Sequence, residues 1–134
     1  SPSDYRSVKV FFLLPENKGK PTAIQTYQKK MGGSAYHDTI EALLAGPDRD
    51  ALTRGAVSAI PYGTHLKGLT VAFSIAYIDV SPDILKAFSH ITTRSEARAH
   101  DAYQQFLQTM RAMDLRDIVL LVEGTPLFDI IENL

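Results

Sequence analysis

The sequence predicts an α+β fold, a two-layer sandwich in which a mixed β-sheet carries two main helices on one face. Three observations point there. Runs rich in β-branched and aromatic residues recur at 8–14, 66–80 and 118–122, and two longer stretches, 34–45 and 93–113, set apolar side chains at helical spacing. The resulting order, strand–strand–helix–strand–strand–helix–strand, is one that lays helices against a sheet.

The first strand spans 8–14, VKVFFLL, a nearly continuous apolar run of the kind covered on both faces, and it stops at Pro15. After the turn ENKGKP, residues 22–29 (TAIQTYQK) favour a second, more polar strand paired with the first. Ser34 caps the first helix, whose apolar positions are Tyr36, Ile40, Leu43 and Leu44. Gly46 is expected to take the left-handed C-terminal conformation, and Pro47 cannot continue the ladder. From Pro47 to Thr64 the chain is a surface connection pinned to the core by Leu52, Val57 and Ile60. Residues 66–73 and 75–80 alternate in apolar character and form a hairpin, although Phe73-Ser74 lacks Asn-Gly turn chemistry. Ser81-Pro82-Asp83 caps a short helix to about Phe88. Thr93-Arg94-Ser95-Glu96 fits a capping box that starts the longest helix, with Ala99, Ala102, Tyr103, Phe106, Met110 and Met113 on its buried face. A last strand at 118–122 is closed by Gly124 and Pro126.

With 134 residues, the chain is expected to be a single domain over 1–134 with a core at about 8–127, enough to bury roughly two-thirds of its unfolded surface. Apolar residues make up 45% and charged residues 22%, a globular balance, and the 118–122 run is too short to cross a bilayer. A net charge of −1 provides no long-range field to draw in nucleic acid or an anionic membrane. The absence of cysteine excludes disulfides, thiolate zinc sites and Cys nucleophiles, and is compatible with the cytoplasm or an envelope compartment. The chain begins SPSDYRSV, so any targeting signal or anchor is expected upstream of Ser1.

No catalytic, cofactor or metal site emerges from the residues. His37, His65, His90 and His100 show no spacing of three or four, so no two share a helical face as zinc ligands. His37-Asp38 and His100-Asp101 could be drawn as acid/base pairs, but adjacent helical residues diverge, which favours solvated surface positions. No Gly-x-Ser-x-Gly elbow exists; Ser58, Ser74 and Ser89 are ordinary turn or cap serines. Gly32-Gly33-Ser34 is explained by helix capping without an anion. Lys18, Lys20, Lys29 and Lys30 could cluster around Tyr27 at one end of the first hairpin, more simply as a guarded sheet edge.

The segment YHDTIEALLAGPDRDALTRGAVSAIPYGTHLKGLTV, followed by IAYIDVS, resembles the GerMN domain of spore germination and sporulation proteins and of some bacterial envelope lipoproteins. The residues that carry the resemblance are Leu43-Leu44-Ala45-Gly46-Pro47, Ser58-Ala59-Ile60-Pro61-Tyr62-Gly63-Thr64 and Ile78-Asp79-Val80-Ser81, with VKVFFLLP before them and a closing helix, strand and turn at Gly124 after them. The resemblance runs from about Val8 to Leu127 and departs at Phe73-Ser74, in the polar second strand and in the tail. It implies a non-catalytic extracytoplasmic interaction module without cofactors. Its partners would be envelope or membrane-complex proteins, it would touch the membrane only through an upstream anchor, and it could self-associate. The motif residues Leu43, Leu44, Gly46, Pro47, Ile60, Pro61, Gly63, Thr64, Asp79, Ser81 and Gly124 then serve architecture. The alternative is a domain that binds or hydrolyses cell-wall glycan or peptide through His65 or Asp79. Self-association would use the sheet edges at 22–29 or 118–122.

Overall fold

Strand β1 (Tyr5–Leu14) opens a computed structural model that describes residues 1–88 and 93–131, without the side chains of Thr93, Arg94 and Ser95. The expectations for Ser89, His90 and the Thr93–Glu96 capping box lie outside the described residues. β1 starts three residues before the predicted strand and pairs antiparallel with β2 (Lys20–Lys29) along its whole length. Its first half alternates, with Ser7 and Lys9 exposed on either side of buried Val8; only Phe12, Leu13 and Leu14 are buried in succession, so cover on both faces begins at its C-terminal end.

The protein is α+β with a mixed sheet, as expected, but its strands divide. The hairpin β1–β2 stands apart from a four-stranded sheet in the order β3 (Leu66–Ala72), β4 (Ile75–Val80), β5 (Asp117–Val122), β6 (Thr125–Pro126), in which β4 and β5 are parallel. The element order alone cannot separate one sheet from two, because the same chain reversals serve both. Helix α1 (Ala35–Ala45) and helix α3 (Thr93–Arg111) touch each other and both strands of the hairpin, while α3 also reaches β5 and α1 reaches β3. The helices thus join the two sheets. Their shared core contains Val10, Phe12, Leu14, Ile40, Leu43, Ile78, Ile84, Phe106 and Met110.

Ser34 caps α1 as predicted, its hydroxyl accepting from the His37 amide at 3.1 Å. At the other end Gly46 has φ 84° but ψ 179°, which is not the left-handed helical cap. The following proline explains the difference. Pro47 pushes its predecessor toward extended ψ, and positive φ with extended ψ is a combination essentially confined to glycine.

The 47–64 connection contains a short helix, α2 (Arg49–Thr53), capped by Asp48, whose carboxylate accepts from the Ala51 amide at 2.9 Å. Two of the predicted pins fail: Leu52 and Val57 are 59% and 57% exposed. Ala51, Ala56, Ala59 and Ile60 are buried instead, and Val57 is held by its backbone, bridging Leu13 with hydrogen bonds of 2.8 and 3.0 Å. Small residues fit where the segment passes close to β1, and apolar bulk is a poor guide there.

The β3–β4 hairpin turns through Phe73 and Ser74 at φ 53° and 63°, the paired positive values of a type I′ turn built without glycine or asparagine. Beyond Ser81 the short helix is a 3-10 turn, Pro82–Ala87. The last element among the described residues is α4 (Leu127–Ile131), whose Leu127 is fully buried and whose Phe128 ring meets Tyr103 at 5.9 Å.

On α3, Ala102, Phe106 and Met110 are buried as the periodicity demanded, with Tyr103 and Met113 packed beside them. Gln105 and Thr109 are fully buried as well. Thr109 Oγ1 accepts from the Phe11 amide at 3.2 Å, and Gln105 Nε2 donates to the Phe11 carbonyl at 3.0 Å. Together with the Val57 bridge at Leu13, these bonds occupy the side of β1 that faces away from β2.

Candidate functional site

The motif residues gather at the junction of α1, the 58–66 loop and the start of the four-stranded sheet. Pro61 to Thr64 form a tight turn in which the Thr64 amide and hydroxyl both donate to the Pro61 carbonyl, at 3.2 and 2.7 Å. Gly63 supplies φ 91° at the third position, as a type II turn requires. Ile60, Pro61 and Thr64 are buried, whereas Tyr62 at the crest is 93% exposed.

Ser81 locks this turn to β4. Its hydroxyl accepts from the His65 amide at 2.9 Å and donates to Asp83 Oδ2 at 2.8 Å, while its amide donates to the His65 carbonyl at 2.8 Å. The expected cap is therefore a cross-link; the Ser81 side chain makes no capping bond to its own turn. The Ser81 hydroxyl is also the main reason that the Asp83 carboxyl sits below its usual range, with Lys86 nearby adding to the effect.

Asp79 and Gly124 come together across the parallel pair: Asp79 Oδ1 accepts from the Gly124 amide at 3.1 Å and holds the β5–β6 turn, where Glu123 and Gly124 have φ 48° and 88°. Leu43 is buried in the core, with Leu44 partly so, and Gly46 and Pro47 turn the chain after α1.

Between α1 and the turn lies an open groove of about 660 Å³ lined by Glu41, Leu44, Tyr62, Gly63, Thr64 and His65. Asp79 is not in it. His65 and Glu41 both line it, and among the described residues the two form no ion pair.

The histidine–carboxylate contact that does exist is His37–Asp38, at 3.5 Å. This corrects the expectation of a solvated pair: Asp38 is fully buried and also accepts from Arg6 Nε at 3.0 Å and the Met31 amide at 3.4 Å. Burial alone would raise its pKa, but the hydrogen bonds from Arg6, His37 and Met31 outweigh it and hold the carboxyl below its usual range. The cluster ties β1 to the first turn of α1. His100 is exposed and Asp101 half-buried on the flank of α3 near the start of β2, and no three metal-ligating side chains converge among the described residues.

The four lysines do not form one cluster. Lys20 pairs with Leu14 and Lys29 with Tyr5, so Lys18 and Lys20 stand at one end of the hairpin and Lys29 and Lys30 about 30 Å away at the other. The 118–122 strand is half covered: β4 lies along one side of β5 throughout, while on the other β6 pairs only with Leu121 and Val122, and the opposite edge of the sheet is β3.

Sequence reasoning missed Gln105, Thr109 and the buried state of Asp38. No local signal marks them, because each is polar and bonds to residues 32 to 98 positions away.

Residues 9–128 match the model of the Germane family, described as sporulation and spore germination. The fold is similar to the tandem GerMN domains of the sporulation protein GerM from Bacillus subtilis, with a TM-score of 0.72 and 12% identity over 93% of this chain and 41% of that one. It is also similar to the first GerMN domain of the same protein, with a TM-score of 0.66 and 17% identity over 91% and 86% of the two chains. A Clostridium perfringens protein described as a lipoprotein is similar with a TM-score of 0.56 and 16% identity, over 92% and 78%. The chain thus spans about two-fifths of the tandem GerM structure.

Proposed function

Because this chain belongs to the Germane family of sporulation and spore germination domains, we propose that it is a non-catalytic, extracytoplasmic protein–protein interaction module that helps assemble or regulate a bacterial envelope complex. The observation that carries this reading is the placement of the two most exposed large hydrophobic side chains among the described residues, Tyr62 at 93% and Phe73 at 91%, each at the crest of a hydrogen-bonded turn. Phe73 sits at φ 53°, where a bulky residue is strained and gains no burial in return. An aromatic ring kept there serves contact with another molecule better than it serves the fold. Asp79, Ser81 and Thr64, by contrast, are engaged in holding backbone. The likeness to a GerM domain and to a protein described as a lipoprotein supports an envelope setting.

Photo-cross-linking tests this in cells. A photoreactive side chain placed at Tyr62 or Phe73 of the full-length protein should yield discrete adducts with membrane-fraction proteins, and Lys67, on exposed β3, serves as the comparison site. Adducts equal at all three positions, or turnover of a cell-wall substrate by the purified protein, would overturn the proposal.

A further inference from the structure

A second groove, of about 550 Å³, runs between the outer side of α3 and the start of β2 and shares no residue with the first. We propose that it is a binding site for a neutral oligosaccharide. The half-buried Phe11 lines it, and the polar side chains around Phe11 come from three separate elements, Asn17 from the turn after β1, Lys20 from β2 and the rest from α3. An aromatic side chain with planar amides and a carboxylate around it suits a sugar ring, whose apolar C–H groups pack against the aromatic ring while its hydroxyls bond outward. The volume lies within the range of small-ligand sites, about 300–1,000 Å³.

The amides are oriented in advance. Gln108 Nε2 donates to Gln104 Oε1 at 3.0 Å, one helical turn apart, and both residues are half-buried. That bond leaves the Gln104 amide group as a donor and Gln108 Oε1 as an acceptor on the two linked side chains; among the described residues neither has another partner. A hydroxyl both donates and accepts, so two neighbouring hydroxyls of a sugar match this pair. Asn17 is fixed in the same way, its Nδ2 donating to Thr22 Oγ1 at 3.0 Å while Oδ1 stays open. Asp101 supplies a further acceptor, and its charge offsets that of Lys20. The inference does not depend on the interaction role proposed above.

Titration of the ¹⁵N-labelled chain with a glucose trimer and, separately, an N-acetylglucosamine trimer tests the proposal. Amide shifts should concentrate at residues 11, 17–20 and 100–108, with a dissociation constant of about 1 mM or tighter. Gln104→Met should weaken binding about tenfold or more, as should Asp101→Asn, while Tyr62→Ser in the other groove leaves it unchanged. Response to both sugars assigns recognition to hydroxyls, and response to the acetylated trimer alone adds an acetamido contact. Absence of shifts with either sugar at about 10 mM, or binding that survives both groove substitutions, would overturn it.

Discussion

Replacing Gln105 with methionine should destabilise the protein by about 2–4 kcal/mol although it removes no volume. The magnitude follows from its three hydrogen bonds. Oε1 accepts from the Ala59 amide at 2.7 Å, and Nε2 donates to the Phe11 carbonyl and to Ser58 Oγ, both at 3.0 Å. Ser58 is half-exposed and its hydroxyl can turn to water, so its loss counts for little. The Ala59 residue is 6% exposed, and an unpaired buried amide costs about 1–3 kcal/mol. The Phe11 carbonyl adds about 1 kcal/mol. Against a typical total of about 5–15 kcal/mol the variant still folds, so urea unfolding followed by far-UV circular dichroism can measure the change. Thr109→Val, which orphans only the Phe11 amide, should cost about 1 kcal/mol. A Gln105→Met protein within about 0.5 kcal/mol of the parent would refute the reasoning and mean that water replaces the amide.

Stability should fall on acidification below about pH 4, near the unfolded carboxylate pKa. Asp38 and Asp48 are both held below their usual range in the folded chain, so their contributions are complete above the unfolded value and vanish as pH falls through the folded one. Urea midpoints from neutral pH downward check this, and Asp38→Asn should flatten the acid side. Phe73→Asn with Ser74→Gly should raise stability by about 1–2 kcal/mol, read as a higher melting temperature, because both residues occupy left-handed φ values. Gly46→Ala should cost about 1–3 kcal/mol by the same thermal assay, through backbone strain alone, since open space surrounds that glycine.

Much of the fold was legible in the sequence because period and punctuation encode it locally. Val8 to Leu14, the Ala102–Phe106–Met110 stripe and the Ser34 cap all follow from rules acting within a few residues. Leu52 and Val57 misled because hydrophobicity says nothing of which side of a short helix or bridge faces inward. The division into two sheets stayed hidden because strand neighbours are chosen by tertiary packing. Of the motif residues, the Asp79–Gly124 bond could not be inferred from spacing, since the two lie 45 positions apart. Neither groove has a signature in the linear chain. Gln104 and Gln108 look like any solvated helical pair until the β1–β2 hairpin is set beside them.

The sealing of β1 has a bearing on how the chain reaches its native state. β1 and β2 are joined by a short turn and pair locally, while the groups that cover the other side of β1 at Phe11 lie 94 and 98 residues further along. Local hairpins close within microseconds, whereas contacts of such separation wait on the rest of the chain. A hairpin formed ahead of α3 would present open backbone groups at Phe11, and at Leu13 until Val57 docks, where a second nascent chain could add. Once Gln105 and Thr109 are in place at Phe11, one molecule can no longer be mistaken there for the missing part of another.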